Sequence, residues 1–269
     1  MNQIKPTVSI IIATYNWPEA LKICLNSVFK QTILPNEILI ADDGSTDATK
    51  KLIEEMSLLS PCPITHVWHE DIGFRLTVIR NKAIVSATGD YILQIDGDVV
   101  LDCHFVEDHL RFEKEACFST GSRIMMDQAL SRELLNDDSI SLNWLSKGIR
   151  NRQNAIRSRL LANYFRFRYK KDSPHYIKGC NMAFWKKDLI AVNGYNEDMI
   201  GWGYEDNEIA ARLISSGIRK QYLKFCGIVY HIHHKQSSHD RKTINTSIFQ
   251  NAVDRKTTYC KNGLDKYLK

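Results

Sequence analysis

Apolar strand-like runs and amphipathic stretches alternate regularly over the first hundred residues, and this alternation leaves few folds open. Residues 7–13 are a β-branched run that reads as a buried strand. The run breaks at Thr14-Tyr15-Asn16, and Trp17-Pro18-Glu19 opens a helix whose Leu21, Leu25, Val28 and Phe29 recur at helical intervals. A second strand at residues 37–41 ends in Asp42-Asp43-Gly44-Ser45, ahead of a helix through residues 50–56. A third spans residues 64–68, and residues 73–87 read as a loop feeding a helix that carries Arg75, Arg80, Asn81 and Lys82. The pattern predicts an α/β domain with a mostly parallel central sheet and helices on both faces. Such sheets bind ligands beyond the carboxyl ends of their strands.

The fourth strand brings chemistry to that edge. Residues 92–100 are an apolar run with Asp96 and Asp98 near its carboxyl end. If the segment stays extended, the two side chains point the same way and offer hard oxygen ligands to a divalent cation that holds a diphosphate. An Asp-x-Asp pair by itself is more often a solvated turn; what strengthens it is the order of the other motifs around it.

Composition excludes several classes. At 269 residues, 43% hydrophobic and 25% charged, the chain suits one large domain, or one domain with an appendage, around a substantial core. Its first residues do not look like a signal peptide and no apolar run reaches the length of a membrane span, so a cytoplasmic location is expected. Seven scattered cysteines without a Cys-x-x-Cys pair read as reduced thiols, mostly in the core. The net charge of +5 is uneven, since residues 147–171 hold nine Lys or Arg and no acidic residue, with apolar residues at partly helical spacing. That segment reads first as a solvated face packed on the domain, and second as a contact with an anionic membrane surface or an anionic glycan. No helix-turn-helix, zinc-finger or RNP-like pattern accompanies the charge, so nucleic acid is not an expected partner.

The second half is less regular. Residues 119–125 read as one strand, and the polar stretch 127–150 as a mobile or acceptor-facing loop region. Residues 177–184 begin another compact unit, followed by Gly201-Trp202-Gly203-Tyr204-Glu205-Asp206 at the start of a helix through Ile209, Leu213 and Ile214. A helix N-terminus favours ionised carboxylates such as Glu205 and Asp206. Tyr230-His231-Ile232-His233-His234 closes an apolar run, and three histidines in four residues are hard to assign to core packing. With no low-complexity linker, residues 1–242 read as a single domain and 243–269 as a helical tail.

Together these residues resemble a family-two glycosyltransferase of the GT-A fold with a galactosyltransferase-type second half, similar to bacterial chondroitin-synthase-like enzymes. Residues 7–110 resemble the nucleotide-sugar half, through Thr14-Tyr15-Asn16, Asp42-Asp43-Gly44-Ser45, Gly73-Phe74-Arg75, Arg80-Asn81 and Asp96-Gly97-Asp98. Residues 111–242 resemble the acceptor and catalytic half, through Lys178-Gly179-Cys180-Asn181-Met182 and residues 201–206. Tyr204 departs from the pattern, standing where the resembling enzymes commonly have glycine. The resemblance implies a metal-dependent inverting transfer of a hexosyl or N-acetylhexosaminyl group from a UDP-sugar to a glycan or lipid-linked saccharide, in bacterial surface polysaccharide synthesis. It implies Mn2+, or Mg2+, held by Asp98 and by His234 or, alternatively, His231. Asp96 is then assigned to the donor ribose or to the surroundings of the metal. Asp42 or Asp43 takes the uracil, Thr14 and Tyr15 border the base, and Arg80 neutralises the diphosphate or fixes Asp96. Asn181 and Gly179 line the donor-sugar pocket, and Trp202 offers a face to a sugar ring. Asp206 is the expected general base and Glu205 its rival, otherwise an acceptor contact; both as mere helix caps is the bland alternative. A dinucleotide-binding dehydrogenase is disfavoured because no Gly-x-Gly-x-x-Gly follows the first strand. The remaining rival is a catalytically inactive nucleotide-sugar-binding partner of a synthase complex.

Overall fold

A computed structural model describes residues 5–235 and 241–268 of the chain. The first half follows the expected alternation: β1 (Val8–Thr14), α1 (Pro18–Phe29), β2 (Glu37–Asp42), α2 (Asp47–Leu59), β3 (Ile64–Trp68), α3 (Leu76–Ser86) and β4 (Tyr91–Asp96). The second half continues with β5 (Val99–Leu101), α4 (Phe105–Phe112), β6 (Cys117–Gly121), β7 (Ile124–Met126), α5 (Gln128–Asn136), β8 (Ile149–Arg150) and α6 (Arg159–Phe165). It ends with β9 (Met182–Trp185), α7 (Lys186–Ala191), α8 (Glu205–Ser215), β10 (Arg219–Leu223), β11 (Val229–His231) and α9 (Lys242–Asp254).

The main sheet has the order β10-β6-β9-β4-β1-β2-β3, parallel except for β9, which runs antiparallel to both β4 and β6. Every residue of β1 is buried. Its alternate side chains serve opposite layers: Ile10 and Ile12 pack with Leu21 and Leu25 of α1 and Ile53 of α2, whereas Ile11 packs with Ile79 and Ala83 of α3 and Leu213 of α8. Helices therefore cover both faces. The order turns back between β1 and β4, whose carboxyl ends carry Thr14 and Asp96. A crevice at that reversal is the natural ligand position in an open α/β sheet.

Three readings of the sequence need correction. Residues 92–100 are not one strand: β4 stops at Asp96, the chain turns at Gly97 and Asp98, and β5 joins a second sheet of order β5-β11-β7-β8. Residues 119–125 likewise split between the two sheets as β6 and β7. The supposed loop region 127–150 contains α5, with Asp127 accepting the Leu130 N–H at its start and Leu130 and Leu134 packed with Ile124 and Tyr230.

The basic segment is also not one amphipathic helix. It breaks into β8, a 3-10 turn at Arg152–Ala155 and the short α6. Several of its charges are occupied: Arg157 makes a forked pair with the buried Asp108, Arg159 meets Glu107, and Arg166 lies over the Phe112 and Phe167 rings. Leu160, Leu161 and Tyr164 stay exposed on the same helix.

Along α8, Arg212 and Glu208 form an ion pair that is 0% and 2% exposed, and the guanidinium also donates to the Val192 and Gly194 carbonyls. Losing one partner leaves a charge uncompensated in the interior. Arg212→Ala is expected to cost about 3–5 kcal/mol, read as a lowered denaturation midpoint; a change under about 1 kcal/mol is what a surface pair would give.

Candidate active site

A cleft of about 900 Å³ opens at the carboxyl ends of β1 and β4. Its walls include Thr14, Tyr15, Asp43, Arg80, Asp96, Asp98, Glu205, Asp206, His231 and His234. Residues separated by up to 220 positions thus meet around one space, and the geometry divides into a cluster that could hold a metal ion, a held carboxylate and a wall around Asp43 and Tyr15.

The cluster is Asp98, His231 and His234, whose ligand atoms all lie within 4.8 Å of one another. Asp98 occupies the turn before β5, and β5 pairs antiparallel with β11, which ends in His231; the Ile232 N–H donates to the Asp98 carbonyl at 2.9 Å. Positions three apart on a continuous strand would face opposite ways. Because β11 stops at His231, the chain brings His234 back, and the two imidazoles stack with centroids 5.2 Å apart. Each Nδ1 faces a backbone carbonyl, that of Ile232 at 2.9 Å and that of Lys235 at 2.8 Å, and so must carry a proton. Both Nε2 atoms then turn toward Asp98, at 3.6 Å from its Oδ1 for His231 and 3.0 Å from its Oδ2 for His234.

Two imidazole lone pairs facing a carboxylate repel it unless a proton or a cation lies between. Asp98 Oδ1 is buried without a hydrogen-bond partner among the described residues, which suits an oxygen made for an ion. Burial works against the charge on Asp98, but the His234 hydrogen bond and both imidazoles hold its pKa below the usual carboxylate range. Burial pushes His231 down, whereas the hydrogen bond to Asp98 lifts His234. One carboxylate oxygen and two Nε2 atoms, each imidazole oriented through its other nitrogen, form a donor set that fits a first-row divalent cation such as Mn2+.

Asp206 lies on the first turn of α8 and Arg80 on the buried face of α3. Arg80, 1% exposed, donates from Nη1 to Asp206 Oδ1 at 2.9 Å and from Nη2 to Asp96 Oδ1 at 3.0 Å. Gln94 Nε2 also donates to Asp206 Oδ1 at 3.3 Å, and the Tyr195 hydroxyl shares its one proton between that oxygen at 3.1 Å and Gln94 Oε1 at 2.7 Å. All the hydrogen bonds described for the carboxylate therefore converge on one oxygen. The other, Oδ2, packs over Gly179, where a β carbon would lie 1.9 Å away, so only glycine leaves it room. Burial raises the pKa of Asp96 against the pull of Arg80. Glu205, 6% exposed, accepts the Gly203 N–H at 2.8 Å, and burial followed by the neighbouring Asp206 pushes its carboxyl up to about 7.

On the remaining wall, Asp43 reaches the cleft while accepting from His69 at 2.8 Å and from the Arg75 N–H at 2.9 Å. Tyr15 is half-exposed and its hydroxyl donates to Asp71 at 2.8 Å. Two expected ligand contacts do not belong to the cleft. Asp42 is 1% exposed, with one oxygen accepting the Ser45 N–H and the other facing His66, so of the two carboxylates only Asp43 lines the site. Asn181 is fully buried; its amide donates to the Ser122 and Gly227 carbonyls and its oxygen faces His109, which makes it a strut between loops and not a lining of the sugar pocket. Arg80, enclosed between two carboxylates, fixes Asp96 and has no surface for a diphosphate. Gly179 and Trp202 do line the cleft. Sequence reasoning missed Tyr195 and Gln94, which carry no motif, and it also missed Arg123, which follows the end of β6.

Comparison with known proteins identifies the family of the chain. The Glycosyl transferase family 2 model matches residues 9–191. The chain belongs to that family. A second model, N-terminal domain of galactosyltransferase, matches residues 158–235 of this glycosyltransferase. Chondroitin synthase of Escherichia coli is 27% identical over 237 residues, covering 78% of this chain but 32% of that protein. The glycosyltransferase thus spans about a third of that relative's length. Among solved structures, a Pyrobaculum calidifontis mannosyltransferase in complex with GDP-Man and Mn2+ superposes with TM-score 0.64 at 17% identity, over 94% of this chain and 65% of that one. GalNAc-T7 with UDP, GalNAc and Mn2+ gives TM-score 0.65 at 16% identity, over 94% and 50%. These likenesses show the GT-A fold. Among the described residues of this glycosyltransferase, no helix is long and apolar enough to cross a membrane.

The departure at Tyr204 now has a physical reason. The residue precedes α8 with φ 66° and ψ 2°, the left-handed conformation that glycine adopts freely. A β carbon there costs roughly 1–2 kcal/mol. The Tyr204 ring stacks on Phe249 of α9, centroids 5.2 Å apart and planes within 10°, and that contact offsets the cost.

Proposed function

We propose that this glycosyltransferase is an inverting, metal-dependent enzyme that moves a hexosyl or N-acetylhexosaminyl group from a UDP-sugar to a hydroxyl of a saccharide or lipid-linked saccharide, in bacterial surface polysaccharide synthesis. The observation that carries the reading is the Asp98–His231–His234 cluster sharing one cleft with the held carboxylate of Asp206. Asp98, His231 and His234 would hold Mn2+ or Mg2+, which supplies positive charge to the departing diphosphate. The chain's own groups do the rest. Asp206, steadied through Oδ1, takes the acceptor's hydroxyl proton on Oδ2 as that oxygen bonds to the anomeric carbon and the nucleoside diphosphate leaves from the opposite face. Arg80 holds Asp96 and Asp206 in place through its two Nη atoms. Glu205 and Trp202 contact the acceptor, Asp43 takes the uracil, and Thr14 and Tyr15 border it.

Residues 1–242 act as one catalytic domain, with 7–110 as its nucleotide-sugar half and 111–242 as its acceptor half, and 243–269 form a tail; α9 packs on α8. The seven free cysteines suit a reducing, cytoplasmic location. A passive nucleotide-sugar binder has no use for a carboxylate held over a glycine. Release of UDP from a panel of UDP-sugars with simple saccharide acceptors, with and without Mn2+, tests the reading; metal-dependent UDP binding with no release on any acceptor or water would favour the inactive partner instead.

We further propose peripheral contact of the basic segment with an anionic bilayer, supported by exposed Leu160, Leu161 and Tyr164 beside the exposed Arg168. Attraction of this kind weakens with salt. Co-sedimentation with phosphatidylserine-containing vesicles is expected at low ionic strength and absent at high; no sedimentation at low salt returns the segment to a solvated face.

A further inference from the structure

β3 is the edge strand of the main sheet, and three side chains at its carboxyl end fasten it to the turn Asp42-Asp43-Gly44-Ser45. His66 Nε2 faces Asp42 Oδ2 at 2.8 Å, the Trp68 indole N–H donates to the Ser45 carbonyl at 3.1 Å, and His69 Nε2 faces Asp43 Oδ1 at 2.8 Å. The turn is also tightly packed: a β carbon on Gly44, at φ 97°, would lie 2.6 Å from the Asp71 Cα. Of the two carboxylates so fastened, Asp43 lines the cleft.

The second nitrogen of His69 decides what the first one does. Lys82 of α3 places Nζ 3.4 Å from His69 Nδ1. An ammonium only donates, so Nδ1 is the acceptor and the ring proton sits on Nε2, from which it is donated to Asp43. The Arg75 N–H, at the start of α3, meets the other oxygen, Oδ2, at 2.9 Å. Asp43 is thus an acceptor on both oxygens, with one described partner each, and each keeps a second lone-pair direction for a ligand in the cleft. Burial raises the pKa of Asp43, and the Arg75 and His69 bonds oppose that rise. With His69 and Asp43 only 10% and 7% exposed, little water is at hand to replace their bond.

The geometry points to His69, set in one tautomer by Lys82, as the positioning residue that aims Asp43 at a ring N–H of the nucleobase and so decides which nucleotide the cleft takes. The inference rests on the reading of the cleft as a nucleotide-sugar site and deepens it, from a carboxylate that meets the base to a His–Lys pair that makes the carboxylate selective. A carboxylate with only lone pairs to offer bonds the N3–H of uracil or the N1–H of guanine. The corresponding ring nitrogen of cytosine is itself a lone pair and repels it. A buried polar group left facing the wrong partner is what lets a site reject a close analogue strongly. Asp43, His69 and Lys82 belong to three separate elements and meet only in the fold.

Calorimetry of UDP, GDP and CDP on the full chain with Mn2+ tests the pair in the wild type, His69→Leu, His69→Gln and Lys82→Met. The wild type is expected to bind UDP or GDP at least about tenfold more tightly than CDP, and the preferred one identifies the base. His69→Leu removes a hydrogen bond to a charged group and should weaken the preferred nucleotide at least about tenfold with little change for CDP, so that the preference collapses. His69→Gln, whose side-chain amide N–H takes the place of Nε2–H, should restore most of it, which a packing role would not allow. Nitrogen-15 spectra of the imidazoles give a readout independent of affinity: His69 should appear as the Nε2–H tautomer in the wild type and as a mixture of tautomers in Lys82→Met. Lys82 is half-buried and methionine has a similar length, so that variant keeps the fold even where His69→Leu does not. Equal wild-type affinity for CDP, an unchanged preference in folded His69→Leu, a loss that His69→Gln does not restore, or a wild-type His69 protonated on Nδ1 overturns the inference while leaving the nucleotide-sugar reading intact. Absence of Mn2+-dependent binding of all three nucleotides by the wild type overturns both.

Discussion

Asp98→Ala is expected to abolish the metal dependence of UDP binding and to lower transfer by at least about a hundredfold, the scale seen when a group aimed at developing negative charge is removed. The fold should survive, because Asp98 sits in a turn at the cleft and its main-chain bond to Ile232 does not involve the side chain. Calorimetry of UDP with and without Mn2+ measures the effect; a variant that keeps the wild-type Mn2+ response would remove Asp98 from the ligand set. The same site carries a pH dependence. Protons and metal compete for the two Nε2 atoms, and His234, lifted by its hydrogen bond to Asp98, is the imidazole at which the proton competes best. Its ion pair with Asp98 is present below the ordinary imidazole range and disappears as pH rises through the lifted pKa. Metal affinity should therefore fall as pH drops through that lifted pKa, and His234→Ala should flatten the profile.

Asp206→Asn is expected to lower turnover by about 10²–10⁴-fold with donor affinity nearly unchanged, since a positioned general base contributes that much. Asparagine keeps the shape over Gly179 but cannot take the acceptor's proton. The comparison with Glu205→Gln is informative because the two carboxyls are adjacent on one helix turn and differ in surroundings. Asp206 is fixed by Arg80, Tyr195 and Gln94, whereas Glu205 is buried and pushed up to about 7. A loss in Glu205→Gln concentrated in acceptor KM assigns that residue to recognition. Near-normal turnover of Asp206→Asn, with a large fall in Glu205→Gln, would exchange their roles.

Much of this protein was legible in the order of its residues. Strand and helix periods are local properties, so the alternation from β1 to β4 and the mostly parallel sheet followed from side-chain spacing alone, as did the placing of Asp96 at a strand's end. Burial that depends on distant partners was not legible. Asp42 and Asp43 are neighbours of one chemistry, and only the positions of His66, Ser45, His69 and Arg75 decide which reaches the cleft. Asn181 matched a motif, yet two loops that meet in space claim its amide. The polar stretch holding α5 looked like a loop because a short helix packed by two leucines leaves little periodicity to read. The sequence by itself determined the α/β class and the residue types that line the cleft. The tertiary structure alone decided which of them meet, because β4 ends at Asp96 and β11 ends at His231: those two strand ends turn an apparent Asp-x-Asp pair into one carboxylate for Arg80 and another for two imidazoles.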